Sequence, residues 1–243
     1  MKPWGFQAAL RFLYPPHCMT CDAPVQAEFA LCGPCWRETR FIHGLVCDLC
    51  GTPLPGEDPG HSVHCDDCLT IARPWQQGRA ALVYEANGRK LVLALKHGDR
   101  LDLARPSAAW MYRAAKDLLR PDSVLAPIPL HWLRLLDRRY NQAALLSSAL
   151  ARMAGRRHIP DLLLRQRATP SQEGRDREGR FRNLEGALRI NPRHRAGISG
   201  RHVVLVDDVM TSGATLAAGT EVCLAAGATA VSVAVLARVA KGA

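Results

Sequence analysis

No run of about eighteen apolar residues occurs in the chain, so a transmembrane helix is not expected. The N-terminal stretch MKPWGFQAALRFLYPP has a short apolar stripe, but Arg11 breaks it and no small-residue cleavage site follows. That disfavours an export signal and points to the cytoplasm. Trp4, Leu10 and Phe12 then read as the docking face of a short helix. A Gly-x-x-x-x-Gly-Lys-Ser/Thr loop is also missing, which excludes a P-loop nucleotide hydrolase.

What is present begins with charge. The 243 residues carry a formal net charge of +10, enough chain for one good-sized domain plus a small appendage. Arginines crowd the stretch from Arg165 to Arg201, with Arg175, Arg177, Arg180 and Arg182 nearly alternating. Such an excess suits an anionic partner, either nucleic acid or a polyphosphate ligand. A solvated helix face is the plainer alternative.

Eight of the nine cysteines form Cys-x-x-Cys pairs: Cys18/Cys21, Cys32/Cys35, Cys47/Cys50 and Cys65/Cys68. In a reducing compartment such pairs read as metal ligands rather than disulfides. Each knuckle turns two thiolates to one side, and two knuckles complete a tetrahedral zinc site at roughly 2.3 Å per bond. Sequential closure joins Cys18, Cys21, Cys32 and Cys35 for one zinc, and Cys47, Cys50, Cys65 and Cys68 for another. An interleaved cross-brace is the alternative. A site with four protein ligands has no open position, so the metal, one ion or two, folds a segment too small to fold alone. His17, His61 and His64 have no required role, and Cys223 reads as a small buried hydrophobe.

From about Gly78 the pattern changes. RAALVYEA, SVLAPIPL, DLLLRQ, HVVLVDD and AVSVAVLARV read as strands. Helices are expected over GRKLVLALKHG, from about Leu103 to Leu119, through RYNQAALLSSALARMAG, and from about Ala214 to Ala226. This alternation predicts an α/β fold, a mostly parallel sheet flanked by helices, over residues 78–243, with the cysteine module in residues 1–77. Ligands in such sheets bind at the carboxyl ends of strands.

One such end is VVLVDDVMTSGATL, Val203 to Leu216. Adjacent aspartates send their side chains to opposite sides of a strand, which argues against a paired-carboxylate acid/base site. Thr211, Ser212, Gly213, Ala214 and Thr215 offer successive backbone N–H groups and hydroxyls at a helix N-terminus, which suits a phosphate monoester. Asp207 and Asp208 just upstream suit the hydroxyls of a vicinal diol, and a diol beside a phosphate is a ribose 5-phosphate.

Four hydrophobic residues, two acids and a Thr/Gly-rich loop resemble the phosphoribosyl-pyrophosphate (PRPP) motif of type I phosphoribosyltransferases. Together with the cysteine pairs, LALKHGDR, PIPLHWLRLLDRRYNQA and RATPSQ in that order, nearly the whole chain resembles the ComF family, linked to natural competence and DNA utilisation. The resemblance implies a type I phosphoribosyltransferase-like fold. It implies ribose hydroxyls on Asp207 and Asp208, and the 5-phosphate on Thr211 to Thr215. It further implies a pyrophosphate loop at Pro129, Leu130 and His131, and a catalytic loop around Thr169 to Gln172 and the arginines that follow. Where the family reads Arg-Gly-Phe-Asn-Gln, this chain has Arg138, Arg139, Tyr140, Asn141 and Gln142. Losing that glycine makes a positive-φ turn at Arg139 less favoured. Tyr140 reads as core and Asn141 as a helix N-cap.

By the same resemblance, Mg2+ arrives with PRPP, held by pyrophosphate and ribose oxygens. Lys96, Arg138, Arg139 and Arg175 are the candidate catalytic cations for the leaving pyrophosphate. Lys96 has the alternative of snorkelling from its helix. Two classes of function follow: phosphoribosyl transfer to an acceptor the sequence does not name, or PRPP and single-stranded DNA binding without turnover. The second would act with DNA-uptake proteins such as a helicase, with Trp36, Trp75 or Tyr84 stacking bases.

Overall fold

A computed structural model describes residues 14–97, 100–130, 139–167 and 186–240. The helix expected around Trp4, Leu10 and Phe12 lies outside the described residues. The cysteine module holds two short helices, α1 (Gly33–Glu38) and α2 (Asp66–Thr70), capped by Cys32 and Cys65. Then follow β1 (Gln77–Val83), α3 (Ala86–His97), α4 (Ala104–Ala115), β2 (Val124–Pro127) and α5 (Gln142–Ala154). The chain continues through β3 (Arg157–His158), β4 (Leu163–Arg165), β5 (Leu188–Ile190), α6 (Arg195–Ile198), β6 (His202–Met210), α7 (Ala214–Ala225) and β7 (Ala230–Arg238).

The main sheet is wholly parallel, in the order β1-β7-β6-β2-β3. Its central strands are near-continuous Val, Leu and Ala because helices cover both faces. On β6, Val204 and Val206 pack with α3, α4 and α5, while Val203 and Leu205 pack on the opposite face with Leu216, Ala217 and Cys223 of α7. That parity later separates the two aspartates.

Several expectations need adjustment. The helix expected over Leu103 to Leu119 is α4 alone, bracketed by 3-10 turns at Leu101–Leu103 and Lys116–Leu118. DLLLRQ does form a strand, but β4 pairs antiparallel with β5 in a separate two-stranded ribbon. Neither β3 nor β5 was expected, because a two- or three-residue strand is too short to show a period.

The cysteine module covers the edge of the sheet. The Ile42 N–H donates to Ala81 O at 2.9 Å, and the Val83 N–H donates to Arg40 O at 2.9 Å. The β1 edge is therefore not a free template for another chain. The third knuckle rests on the same strand at Gly51 (φ +69°), where a Cβ would lie 2.6 Å from Ala80 N. Only glycine permits both that φ and that approach.

Candidate phosphate and metal sites

β6 runs beyond the acidic pair to Met210, because β7 keeps pairing with it as far as Arg238. The aspartates are thus inside the strand rather than at its tip. What ends is β2, whose last pair is Pro127 with Val206, followed by an Ile128 N–H donating to Val206 O at 2.9 Å. Asp207 and Asp208 lie just past that point, at the carboxyl side of the sheet.

Their side chains diverge. Asp208, 8% exposed, faces the helix side, and Lys96 Nζ of α3 stands 3.2 Å from its Oδ2. Lys96 therefore meets the acid pair rather than snorkelling to solvent. Asp207 faces the α7 side, and its own Oδ1 accepts the Asp208 N–H at 2.9 Å. Burial raises the Asp207 pKa well above the ordinary carboxylate range, and the Asp208 charge adds to this. The Asp208 N–H, Lys96 and Arg165 oppose the rise.

Around the pair, three segments are fastened together. Asn141 caps α5, its side chain accepting the Ala143 N–H at 3.0 Å while Nδ2 donates to Ile128 O at 3.0 Å. The cap expected from sequence thereby also ties α5 to the segment leading into Pro129 and Leu130, both half-buried. The Tyr140 hydroxyl donates to Leu95 O at 2.9 Å, and Gln142 Nε2 reaches Lys96 O at 3.4 Å, so both hold the end of α3 that carries Lys96. Arg139 adopts φ +64°, contrary to the expectation drawn from its missing glycine. A side chain tolerates that region at a modest cost when the surroundings dictate it. His131, Arg138, Arg175 and the Thr169 to Gln172 stretch lie outside the described residues.

After Met210 the chain turns through Thr211 and Ser212 to Gly213 (φ +80°), the N-cap of α7. Thr211 is exposed and Ser212 and Thr215 half-exposed, whereas Gly213 and Ala214 are buried. The first turn of α7 thus opens toward the same end of the sheet as the acids, a position that favours negative charge. A Cβ on Gly213 would meet Arg73 Nη1 at 2.7 Å and Trp75 at 2.9 Å. The close neighbour there is the cysteine module.

The eight paired cysteines gather as expected for sequential closure: Cys18, Cys21, Cys32 and Cys35 in one cluster, Cys47, Cys50, Cys65 and Cys68 in the other. Within each, the sulfurs all lie within 4.8 Å of one another, with Cys21 and Cys32 at 3.4 Å and Cys50 and Cys65 at 3.6 Å. Tetrahedral zinc with ~2.3 Å bonds places its sulfurs about 3.8 Å apart, so both clusters fit the ion. The sulfurs of the first cluster meet Thr20 and the Cys32 N–H. The second is more deeply buried, with Cys47 and Cys50 fully enclosed.

Three residues near these sites escaped the sequence reading. Arg165 of β4 donates to Pro129 O at 3.4 Å and acts on Asp207. Arg73 Nη1 donates to Ser212 O, and Arg238 Nη1 donates to Met210 O at 3.2 Å and Thr211 O at 2.7 Å. Arg238, 2% exposed, had a readable signal: a cation in an otherwise aliphatic strand. Arg73 had none. Trp75 is 2% exposed and cannot stack an incoming base, whereas Trp36 is 54% exposed.

Comparison with known proteins agrees with both halves. The double zinc ribbon domain matches residues 9–69, and the phosphoribosyl transferase domain matches residues 149–243. The DNA utilization protein YhgH of Escherichia coli (strain K12) is 32% identical over 227 residues, covering 90% of this chain and 95% of its own. Competence protein F of Haemophilus influenzae is 28% identical over 206 residues, covering 82% and 86%. Competence protein ComFC of Bacillus subtilis is 25% identical over 220 residues, covering 82% and 85%. The cysteine clusters are the structural zinc sites of a double zinc ribbon, and the parallel sheet is phosphoribosyltransferase-like. No helix among the described residues is long and apolar enough to cross a membrane.

Proposed function

This chain belongs to the ComF family, and from that premise we propose that it binds PRPP at the carboxyl end of β6 and transfers its phosphoribosyl group to an acceptor used in DNA uptake and utilisation. The ribose 2- and 3-hydroxyls donate to Asp207 and Asp208, and Thr211, Ser212, Gly213, Ala214 and Thr215 receive the 5-phosphate. One observation carries the reading: the acids and the first turn of α7 open at the same end of the sheet, with Lys96 3.2 Å from Asp208.

The acceptor attacks ribose C1 on the face opposite the pyrophosphate. As the C1–O bond breaks, pyrophosphate leaves with the bonding pair, and the acceptor gives up a proton. Little covalent chemistry falls to the protein, so catalysis rests on positioning and on charge set against the leaving group. Lys96 and Arg139 supply cations from the described residues, with Arg138 and Arg175 as further candidates, and Pro129, Leu130 and His131 form the pyrophosphate loop. Asp208 is already engaged by Lys96 at 3.2 Å, which leaves the pair short of a carboxylate cage for one ion. Magnesium, were it to arrive with PRPP, would supply charge neutralisation for the leaving pyrophosphate, beside the cations of Lys96 and Arg139.

The direct test is calorimetry with PRPP and Mg2+ on wild type and on the Asp207→Asn, Asp208→Asn double variant. Binding should be lost in the variant while circular dichroism and zinc content stay unchanged; undiminished affinity would sink the ribose assignment. A pyrophosphate-release assay across bases and oligonucleotides then identifies the acceptor.

A second reading, PRPP and single-stranded DNA binding without turnover, has one observation in its favour. Trp36 stacks at 4.6 Å on Phe41, which meets Trp110 edge-on at 5.3 Å. Arg37, Arg40 and Arg113 line the same groove, away from the acidic pair. One exposed tryptophan, backed by two half-buried aromatics and bordered by arginines, suits a stacked base and a phosphate backbone.

A further inference from the structure

The second cysteine cluster is joined to the candidate phosphate loop by two arginines. Arg73 follows α2, the helix that carries Cys68, by three residues, and its side chain donates to Ser212 O. Its guanidinium also lies 5.3 Å over the ring of Trp75, whose Nε1 donates to Leu49 O at 2.6 Å, between Cys47 and Cys50. Arg238, at the end of β7, donates to Met210 O and Thr211 O and stands 4.0 Å from Oδ2 of Asp67, the residue before Cys68 on α2. Three consecutive carbonyls of the loop, those of Met210, Thr211 and Ser212, are thus held by two cations, one three residues beyond α2 and the other beside Asp67 of that helix.

Buried cations need compensation. Zinc with four thiolates carries a net charge of minus two, which matches two guanidinium groups, while four neutral thiols would leave that charge to Asp67 alone, 4.0 Å from Arg238. Hydrogen bonding points the same way. Nε and Nη2 of Arg73 and Nε of Arg238 are buried with no hydrogen-bond partner among the described residues. Metal-bound thiolates are charged acceptors and can satisfy such groups, as protonated thiols cannot.

We propose that the Cys47, Cys50, Cys65 and Cys68 zinc site is the anchor of the phosphate loop. Through Arg73 and Arg238 as positioning residues, its metal occupancy sets the loop's affinity for a phosphate monoester, and a bound phosphate in turn retains the metal. This rests on the reading that residues 211–215 hold a phosphate. Loss of the zinc releases both arginines and with them the Thr211 and Ser212 carbonyls, while the Met210 carbonyl keeps the Val239 N–H at 3.0 Å. The first zinc site, whose sulfurs meet Thr20 and backbone, is not part of this connection. Linkage makes the effect reciprocal: if zinc strengthens phosphate binding by some factor, phosphate strengthens zinc binding by the same factor.

The full-length, zinc-loaded protein tests this without any turnover assay. Zinc release to a chromophoric chelator is followed with and without saturating ribose 5-phosphate, a probe that lacks the pyrophosphate and so competes weakly for metal. One of two release phases should slow about tenfold when the sugar phosphate is bound, while the other stays within twofold. In Arg73→Met that protection should vanish, and Arg73→Lys should restore part of it. If calorimetry finds no ribose 5-phosphate binding to wild type, the phosphate-loop reading itself falls. Binding that leaves both release phases unchanged overturns the anchor and spares that reading. Should Arg73→Met fail to fold, the wild-type release measurement still decides.

Discussion

Lys96 offers a sharp test of the site's electrostatics. Its ion pair with Asp208 is 20% exposed on the lysine side and 12% on the aspartate side. Exposed pairs contribute ~0–1 kcal/mol, whereas removing one partner of a fully buried pair costs ~3–5 kcal/mol. Burial this deep, with a little solvent access left, puts Lys96→Met at about 2 kcal/mol of lost stability near neutral pH. The loss has a cause that pH can expose. Without Lys96, two adjacent carboxylates remain in a site where Asp207 already has a raised pKa. A folded-state pKa above the unfolded one means the folded state holds its proton longer, so stability falls as pH climbs through the window between the two values. Removing the cation widens that window, and the deficit of Lys96→Met should be large at pH 8 and small near pH 4.

The assay is urea unfolding of zinc-saturated protein, with the Asp208→Asn variant and the double variant completing a cycle. A coupling of about 1–2 kcal/mol is expected, with the double variant recovering most of the loss. PRPP affinity should fall in Lys96→Met as well, since the cation stands 3.2 Å from Asp208, a residue proposed to hold the ribose. If the single and double variants unfold at the same urea concentration, or if the deficit does not vary with pH, the ion pair does not organise this site.

Two further outcomes follow from other parts of the molecule. His202 is 1% exposed between Ser123 Oγ at 2.8 Å and Ser232 Oγ at 2.9 Å, and burial, then the charge of Arg120, lowers its pKa to about 4. Between that value and the ordinary histidine range the unfolded chain binds more protons, so this group alone should cost about 3 kcal/mol as pH falls from 6.5 to 4. Asp207 acts with the opposite sign in that range, so the effect is read as the difference between wild type and His202→Gln, which should be flat in this term. For the DNA reading, an oligonucleotide should bind with steep salt dependence and lose affinity about tenfold in Trp36→Ala; no binding at low salt rules it out.

The parts legible in the sequence are those whose chemistry is local. A Cys-x-x-Cys turn needs only its own four residues to aim two sulfurs, and repetition along the chain made sequential closure readable before any coordinates. The aliphatic run of β6, the small-residue turn and the start of α7 likewise follow one another directly, so the strand, its turn and the helix that follows could be read from pattern alone. Asn141 announced a cap for the same reason. The left-handed turn at Arg139 went the other way, because surrounding structure, not the residue's own preference, decides that backbone.

Tertiary structure decided everything that depends on residues far apart in the chain meeting. Lys96 had an equally good local account as a snorkelling helix cation, and only the packing of α3 against β6 gives it Asp208. Whether Trp36 or Trp75 faces solvent was equally open until the module settled on β1. Arg73 and Arg238 flank opposite ends of the phosphoribosyltransferase-like domain, yet they converge on one loop and one cysteine cluster. Short-range pattern determines which groups a chain can offer. Burial and charge compensation, which belong to the whole fold, determine which of them act together.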